Sequence, residues 1–323
     1  MKISKEVEGT RALLNKWGKE KVGFVFLIDF ECIKPCIWKI DTLIEDFKFD
    51  FNGFSNTQKQ VEKVKQLEFE RYPESFEIYK AKFEKVKQQI EYGNSFLVNL
   101  TIETPIRCNL SITEIFENVA SKYSCWLKDE FVCFSPETFV RINNQKIYSY
   151  PMKGTIDANL PNAKETILND SKELAEHATI VDLIRNDLSK VATNVKVNKF
   201  RFYEEIKTQN GFLGQVSSEI VGDLPKNFNE YIGDIIFDLL PAGSVSGAPK
   251  AQTKKIIFDV EQTPRGYYTG IAGYFDGENL DSCVLIRYLQ EDKIYRSGGG
   301  ITFLSAATTE YQEMIAKVYV PIF

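Results

Sequence analysis

Two pairs of glutamates have a spacing that can bring their carboxylates together. Glu173 and Glu176 lie three residues apart, and so do Glu310 and Glu313. On a helix this spacing places both side chains of a pair on one face, and Lys317 continues the face of the second pair. Because Mg²⁺ prefers oxygen ligands, four carboxylates from two helices could hold this cation.

The acidic pairs also admit other interpretations. Asp170 with Glu173 fits the capping pattern of a helix N-terminus, and exposed glutamate pairs are common. A di-iron site requires two Glu-x-x-His units, whereas the chain has one histidine, His177. A single histidine also makes a Ser-His-Asp or Cys-His catalytic system improbable. Acid–base chemistry must therefore rest on Glu, Asp, Lys or Tyr.

Lys153 stands between a proline and a glycine, in the segment Tyr-Pro-Met-Lys-Gly-Thr of residues 150–155. A lysine that is held away from water at the end of a strand can lose its proton near neutral pH and act as a nucleophile. The alternative is an ordinary loop lysine whose charge is solvated.

Three glycine-rich segments form a further group, at residues 241–250, 265–270 and 297–302. The first lies between two predicted helices and places Pro249 at a plausible first helical position, so its amides could face an anion. It is not a P-loop, because the Gly-x-x-x-x-Gly-Lys-Ser/Thr spacing is missing. Each segment could also be an ordinary turn.

The bulk properties describe a globular protein of 323 residues, 43% of them hydrophobic, with a net charge of −5. The negative charge argues against nucleic-acid and anionic-membrane surfaces. The longest apolar run, residues 22–30, is too short to span a bilayer, so a cytoplasmic location is expected. The six cysteines show no Cys-x-x-Cys spacing, which favours free buried thiols over a metal site.

The elements that must position these residues can be read from periodicity and turn signals. Predicted helices cover residues 74–92, 111–122, 171–192, 227–240, 249–260 and 306–318. Predicted strands cover residues 95–101, 130–134, 138–142, 146–150, 195–202, 271–275 and 283–290. Because strands come in runs and helices do not strictly alternate with them, the sequence predicts a mixed α/β (α+β) fold with antiparallel pairing.

Taken together, these segments resemble the chorismate-binding enzyme family, which includes anthranilate synthase component I, aminodeoxychorismate synthase component I, and the isochorismate and salicylate synthases. The match runs from about residue 93 to residue 317. Matches in so many ordered places make chance negligible. The segments that carry them are 135–139, 151–155, 172–177, 181–188, 241–250, 265–270, 286–287, 298–301 and 310–313.

The resemblance implies two packed, mostly antiparallel sheets flanked by helices, with the active site in a cleft between them. It implies Glu176 and Glu313 as Mg²⁺ ligands, with Glu173 and Glu310 supporting them. Mg²⁺ would hold the ring carboxylate of chorismate and favour loss of the 4-hydroxyl. Glu137 resembles the general acid for that hydroxyl, a role that needs a pKa raised by burial.

The same resemblance assigns the remaining substrate contacts. Tyr268 and Arg287 resemble the contacts to the enolpyruvyl carboxylate, for which a planar guanidinium is suited. Backbone amides would bind the remaining oxygens. The other residues of this predicted substrate site are Ser246, Gly247, Gly298, Gly299, Gly300 and Lys317.

Lys153 selects a branch of the family. Anthranilate synthases carry Ala at this position of the Pro-x-x-Gly-Thr motif, whereas aminodeoxychorismate synthases carry a Lys that resembles a nucleophile adding to the ring at C2, before ammonia enters at C4. The resemblance thus implies Mg²⁺-dependent aminodeoxychorismate synthesis, toward 4-aminobenzoate and folate. Since the chain has no glutaminase residues of its own, a glutamine amidotransferase partner or free ammonia must supply the nitrogen.

Two features depart from the family pattern. Gln215 stands where the family has a histidine before a Val-Ser strand. The N-terminal portion, about residues 1–72 of the single catalytic domain 1–323, is short and lacks the Leu-Leu-Glu-Ser segment that lines a tryptophan pocket. Alternative activities are anthranilate, isochorismate or salicylate synthesis. A chorismate-binding module without turnover would need neither Glu137 nor Lys153, so their joint presence favours an enzyme.

Overall fold

The computed structural model describes residues 3, 4, 7–42, 44–59, 67–208 and 211–322, so parts of the predicted N-terminal portion, residues 1–72, lie outside the described residues. The strands are β1 (Ile3–Ser4), β2 (Phe24–Ile28), β3 (Cys36–Lys39), β4 (Phe47–Phe51), β5 (Phe54–Ser55), β6 (Phe69–Arg71), β7 (Leu97–Cys108), β8 (Tyr123–Leu127), β9 (Phe131–Ser135), β10 (Thr138–Asn143), β11 (Lys146–Ser149), β12 (Met152–Asp157), β13 (Thr193–Thr208), β14 (Gly211–Asp223), β15 (Gly247–Ala248), β16 (Ile271–Phe275), β17 (Leu280–Val284), β18 (Tyr288–Gln290) and β19 (Ile294–Ile301).

The predicted helices are present with small shifts of their ends. Ser75 caps the helix predicted at residues 74–92, and Ser111 with Glu114 forms a capping box at the next. The helices are α1 (Val7–Lys19), α2 (Phe76–Glu91), α3 (Ile112–Asn118), α4 (Ala163–Asn169), α5 (Ser171–Leu188), α6 (Ile232–Asp238), α7 (Lys250–Glu261) and α8 (Ala307–Ala316), with 3₁₀ turns at Phe228–Tyr231 and Gly243–Val245.

Two large sheets hold the strands, and the strand pairs described are antiparallel. The first sheet has the order β1-β3-β2-β16-β17-β10-β11-β14-β12, with β13 paired to β14. The second has the order β15-β7-β19-β18-β9-β8-β4-β5, with β6 paired to β7. The predicted fold of two antiparallel sheets flanked by helices is confirmed.

Alternation along β2 shows how one apolar run serves two cores. Val25 and Leu27 point into the layer between the sheets. Phe24, Phe26 and Ile28 point to the opposite face, where α1, α5 and α6 cover the first sheet. Because both faces of the strand are buried, the run is apolar throughout without being a membrane segment. None of the helices that the structure describes combines the length and apolarity that a membrane crossing requires.

The second sheet carries its own helical cover. The predicted apolar face of α2, formed by Tyr79, Phe83, Val86 and Ile90, is buried against β7 together with residues of α7 and α8. A fourth core lies under α3. Four of the six cysteines are buried, as expected, and Cys32 and Cys108 are partly exposed.

One predicted strand is wrong, and the error is informative. Residues 283–290 were expected as one strand, but they contain the end of β17 in the first sheet and β18 in the second. The chain changes sheets at residues 285–287, where Arg287 adopts a left-handed φ of 56°. The apolar pattern continues through this break without Gly or Pro, so it carries no signal for it. Several other strands, among them β4, β8 and β19, were not predicted.

A buried ion pair ties the second sheet to the loops around it. The Arg265 guanidinium binds Glu261 through two hydrogen bonds of 2.6 and 2.9 Å, and it donates to the carbonyls of Asn99 and Val245 at 2.7 and 2.8 Å. The Glu261 carboxylate also accepts from the amide of Thr101 at 2.9 Å. Both charged side chains are almost fully buried, so each depends on the other for compensation.

Removing one member of this pair should strongly destabilise the fold. Arg265→Met leaves the Glu261 carboxylate buried without its partner, at an expected cost of about 3–5 kcal/mol in unfolding free energy. Urea titration followed by circular dichroism would measure it. The double variant Arg265→Met/Glu261→Met should recover part of the loss, and Lys19→Met, at an exposed pair with Glu230, serves as control. An Arg265→Met protein as stable as wild type would contradict this role.

Candidate active site

The site lies where the chain crosses between the sheets. One crossing joins β9 to β10 and carries Glu137, and the other joins β17 to β18 and carries Arg287. The two crossings are bonded to each other, because the Val284 amide donates to the Glu137 carbonyl and the Phe134 amide donates to the Arg287 carbonyl, both at 3.1 Å. The two sequence-distant residues are therefore fixed side by side.

The acidic pairs lie on α5 and α8, within electrostatic range of each other. Asp170 accepts from the amide of Glu173 at 2.9 Å, so the predicted N-cap of α5 is present as well. Glu176 and Glu310 are buried. Burial, with the neighbouring carboxylates, raises the pKa of Glu173 and of Glu310. Carboxylates within electrostatic range of one another repel unless cations compensate them.

Lys153 supplies one such cation. Its Nζ lies 2.7 Å from Oε2 of Glu176, and Lys172 Nζ lies 3.7 Å from Oε1 of the same carboxylate. Burial lowers the pKa of Lys153, but the nearby carboxylates outweigh it and hold this pKa above its ordinary value. The expectation that burial alone would free the amine is therefore corrected. Gly154 has a φ of 90°, and a Cβ there would lie 2.9 Å from Glu173 Oε2, which explains the glycine of the motif.

Lys317 forms a second, matching pair. It caps the C-terminal end of α8, where its Nζ lies 2.8 Å from Oε1 of Glu313 and donates to the carbonyl of Gly298 at 2.9 Å. This lysine therefore connects the acidic helix to the glycine segment of β19.

Glu137 has the environment of a proton donor. Burial raises the pKa of its carboxyl, although the Ser244 hydroxyl, which donates to Oε1, acts in the opposite direction. A carboxyl whose pKa is raised keeps its proton at higher pH and can deliver it to a leaving group. Sequence reasoning missed Ser244, although it lies within the glycine-rich segment 241–250. Its neighbour Ser246 had been selected instead.

The residues expected to bind a carboxylate lie near each other. The Arg287 guanidinium stacks on the ring of Tyr319, with its centre 5.5 Å from the ring centroid. Tyr268 is buried beside Tyr288, with ring centroids 5.8 Å apart, and burial raises the pKa of its phenol. Tyr268 and Arg287 are also within electrostatic range of each other. A neutral phenol and a guanidinium are suitable donors to one carboxylate.

The register of β19 against β7 decides which glycine amides of β19 can bind a ligand. Gly298 pairs with Thr101 and Gly300 with Asn99, yet the amides of Thr101 and Asn99 bind Glu261 and Ser246 on the other side of β7. These are therefore non-hydrogen-bonded pairs, in which the peptide groups of Gly298 and Gly300 point away from β7.

The third glycine differs. Gly299 alternates with its neighbours, so its peptide faces the ladder with Leu100 of β7. Among the described strands, β18 pairs with β19 only at Arg296 and Tyr295, which leaves the edge beside the glycines open toward the site. Two of the three predicted amides, those of Gly298 and Gly300, can therefore meet a ligand.

The Ser246–Gly247 turn is used by the protein itself. The Ser246 hydroxyl donates to the Ala242 carbonyl at 2.7 Å, and its amide donates to the Gly243 carbonyl at 3.3 Å. Gly247 has a φ of 137°, and a Cβ there would lie 1.9 Å from the carbonyl oxygen of Leu97. The structure thus gives this turn a role in joining β15 to β7, where substrate contacts had been predicted.

The N-terminus of α7 lies beside a pair of ion contacts to Asp187. Pro249 is its N-cap, one position before the predicted place. Lys250, the first helical residue, lies 2.7 Å from Oδ2 of Asp187, whose Oδ1 is 2.8 Å from Lys190 Nζ. The contact between Lys250 and Asp187 was not predicted from the sequence, although these two residues lie in the segments 241–250 and 181–188 that carry the family resemblance.

His177 and Gln215, both discussed from the sequence, lie beside β12, the strand that carries Lys153. His177 is fully buried with Nε2 2.6 Å from the Ser218 hydroxyl, and burial lowers its pKa to about 4, so the ring is neutral. Gln215 donates to Sδ of Met152 at 2.8 Å and to the Ser217 hydroxyl at 3.1 Å. Both support the sheet that carries Lys153.

The carboxylate oxygens of the acidic pairs are of the type that a hard cation such as Mg²⁺ prefers as ligands. Oε2 of Glu173 and Oε1 of Glu176 are buried without hydrogen-bond partners among the described residues, although Lys172 Nζ lies 3.7 Å from the second oxygen. Carboxylate oxygens of this kind are suited to a cation. Over the described part of the chain, however, no three His, Cys, Asp or Glu side chains are already gathered as a metal group. Lys153 and Lys317 occupy the carboxylates instead.

Comparison with known proteins identifies the family of the chain. Residues 34–322 match the model of the family described as chorismate binding enzyme, and the chain belongs to that family. It is thus a member of a family of enzymes that use chorismate.

Named relatives carry more than one activity. A protein of Pasteurella multocida described as an uncharacterized PabA-like protein is 49% identical and covers 95% of this chain and 97% of the relative. An anthranilate synthase component 1 of Archaeoglobus fulgidus is 32% identical over 81% of this chain and 68% of its own length. The aminodeoxychorismate synthase component 1 of Bacillus subtilis is 30% identical over 73% and 53%.

A solved structure shares the fold. The putative isochorismate synthase DhbC of Bacillus anthracis matches with a TM-score of 0.75 and 19% identity, covering 98% of this chain and 89% of that one. At this identity the match supports the architecture alone.

The Glu137–Ser244 contact predicts a pH effect. Because the hydroxyl stabilises the carboxylate form, Ser244→Ala should raise the pKa of Glu137 further. If Glu137 acts as an acid, activity is present below this pKa and is lost above it, so the alkaline limb of kcat/KM for chorismate should move to higher pH. Ser244→Thr, which keeps the hydroxyl, should restore the wild-type profile. An alkaline limb that is unchanged or moves down in Ser244→Ala would exclude this assignment.

Proposed function

We propose that this chain is the synthase component that converts chorismate and ammonia into 4-amino-4-deoxychorismate. The observation that carries the proposal is the contact between Lys153 Nζ and Glu176 at 2.7 Å. It puts an amine among the acidic helices and within electrostatic range of Glu313 and Glu173. A lysine at this position of the motif resembles the aminodeoxychorismate branch, and the Bacillus subtilis relative is consistent with that branch.

The proposed reaction uses Lys153 as nucleophile and Glu137 as acid. The uncharged Lys153 amine forms a bond to ring C2, both ring double bonds shift, and the C4–O bond breaks. Glu137 gives its proton to the departing oxygen, which leaves as water. Ammonia then bonds to C4, both double bonds shift back, and the Lys153 amine leaves C2 with its electron pair. One proton of the new ammonium group returns to Glu137, which ends protonated as it began.

The substrate is held by groups on both sheets. Arg287 and Tyr268 would bind the enolpyruvyl carboxylate, and the free amides of Gly298 and Gly300 would bind further oxygens. Lys317, already bonded to the carbonyl of Gly298, would add a positive charge on the same side.

Mg²⁺ would be held by Glu176 and Glu313, supported by Glu173 and Glu310, and would compensate the ring carboxylate of chorismate. To accept it, the carboxylates must release Lys153 and Lys317 from their ion pairs. Lys153 must also leave Glu176 in order to attack the ring. Binding of Mg²⁺ and attack by Lys153 therefore both require that the Lys153–Glu176 contact opens.

Nitrogen would come from a separate partner. We expect a glutamine amidotransferase subunit to deliver ammonia, so that ammonium salts support turnover by this chain alone whereas glutamine does so only with the partner present. Glutamine-dependent product from the purified chain would count against this division of labour.

The product and the role of Lys153 can be tested together. Chorismate, ammonium and Mg²⁺ should yield 4-amino-4-deoxychorismate, identified by mass. Lys153→Arg should behave like Lys153→Ala, with rates lower by orders of magnitude, because arginine cannot give a free amine in a protein. Without ammonia, the wild-type chain should leave a mass adduct on the Lys153 peptide. An active Lys153→Arg protein with no trapped adduct would show that Lys153 is not the nucleophile.

The metal site is tested best at Glu313, since changing Glu176 also breaks the contact with Lys153. Glu313→Gln should abolish turnover, leave the circular dichroism spectrum unchanged, and remove the heat of Mg²⁺ binding in the presence of chorismate. Glu165→Gln, on the exposed side of α4, is the matched control. Full activity of Glu313→Gln, or of wild type in excess chelator, would refute the assignment.

A further inference from the structure

An irregular segment after α8 places one aromatic side chain against Arg287. The side chains of Val318 and Val320 are buried, at 1% and 7% exposure, in the core that lies under α3. Tyr319 stands between them and is 43% exposed, the alternation that an extended chain gives to neighbouring side chains. The two valines therefore attach the segment to the core, while the tyrosine ring is left to meet the guanidinium.

The backbone of this segment is held on both sides of Tyr319. The Arg71 guanidinium donates to the carbonyl of Val318 at 3.4 Å. Further on, Ile322 forms an antiparallel bridge with Val119. None of these contacts uses the Tyr319 side chain, so the ring can be changed without releasing the segment.

The contacts of Arg287 are few for a charged side chain that is half-buried. Its Nε donates to the Tyr319 hydroxyl in a long hydrogen bond of 3.4 Å, and the centre of the guanidinium lies 5.5 Å from the Tyr319 ring centroid. Within the described part of the chain, it forms no ion pair, and its two terminal nitrogens have no hydrogen-bond partner. These two nitrogens are the edge of a guanidinium that binds a carboxylate through two parallel hydrogen bonds.

An arginine with so few partners has to be ordered by its ligand. Fixing a long side chain costs conformational entropy, and this cost weakens binding unless the protein has already met it. An aromatic ring attracts a guanidinium, and the hydroxyl beside Nε restricts its orientation further. Tyr319 thus contacts Arg287 and leaves the two terminal nitrogens to the ligand.

We propose that Tyr319 is a positioning residue, which holds Arg287 in the orientation that binds the enolpyruvyl carboxylate of chorismate. The inference rests on the proposed function, because that function assigns the carboxylate to Arg287. Tyr319 acts through the guanidinium and not on the substrate itself. Because the enolpyruvyl group does not react, its contact is the same before and during the reaction. Loss of the ring should therefore weaken binding and leave the chemical step unchanged.

Replacing the ring tests this role. Tyr319→Leu should raise the dissociation constant of chorismate, measured by calorimetry, and its KM by about 3–30-fold, the range expected for loss of a cation–π contact. The kcat for the aminated product should not change. Tyr319→Phe keeps the ring and should stay within about twofold of wild type. Tyr231→Leu, at a tyrosine of similar exposure, 48%, is the matched control and should leave binding unchanged.

A double-mutant cycle separates positioning from a general structural effect. If Tyr319 acts through Arg287, Tyr319→Leu should weaken chorismate binding no further once Arg287→Met has removed the guanidinium. Circular dichroism and thermal melting check that each variant is folded. Should Tyr319→Leu fail to fold, Tyr319→Gln, which keeps a polar side chain at this half-exposed place, should show the same loss of affinity.

The inference is wrong if the folded Tyr319→Leu or Tyr319→Gln protein binds chorismate as wild type does, or if it lowers kcat instead of affinity. It is also wrong if Tyr319→Phe loses as much affinity, or if the loss persists in full beside Arg287→Met. A wild-type chain that binds chorismate with this dependence on Tyr319 but yields no aminated product would overturn the proposed function alone. Absence of chorismate binding by wild type would overturn both.

Discussion

The buried Arg265–Glu261 pair is the constraint on which the site depends. It fixes the end of α7, the middle of β7 and the 3₁₀ turn at Gly243–Val245 to one another. That turn carries Ser244, which contacts Glu137, while β7 sets the register of β19 and so decides which glycine amides face the cleft. A charge pair isolated from water tolerates little displacement, so these distant segments keep their positions together.

Lysines compensate part of the negative charge of the acidic pairs. Four carboxylates on α5 and α8 lie near two lysines, each within 2.8 Å of a carboxylate oxygen. The lysines allow buried acids to coexist, at the cost of occupying the groups that a cation would need. Binding of Mg²⁺ and chorismate is then an exchange of partners, in which the acids keep their compensation throughout.

Sequence reasoning reached the architecture and the helices that carry the candidate site because both leave local traces. Paired glutamates, a capping aspartate and an apolar stripe each mark one face of a helix, and α2, α5 and α8 formed as expected. The break at Arg287 left no trace, because its left-handed backbone is held by tertiary contacts. The contact of Ser244 with Glu137 and the separate direction of the Gly299 peptide could not be predicted for a related reason. The direction of a hydroxyl or peptide depends on strand register, which is set by residues far away in sequence.

The two sheet crossings have a thermodynamic consequence. Glu137 and Arg287 sit where the chain leaves one sheet for the other, and each crossing is hydrogen-bonded to its counterpart. A ligand that touches both residues and the glycines of β19 can bind only while both sheets are folded and correctly docked. Its binding free energy is therefore added to the cooperative unfolding of the whole domain rather than to a local opening. The substrate, while bound, acts as a non-covalent staple between the two layers.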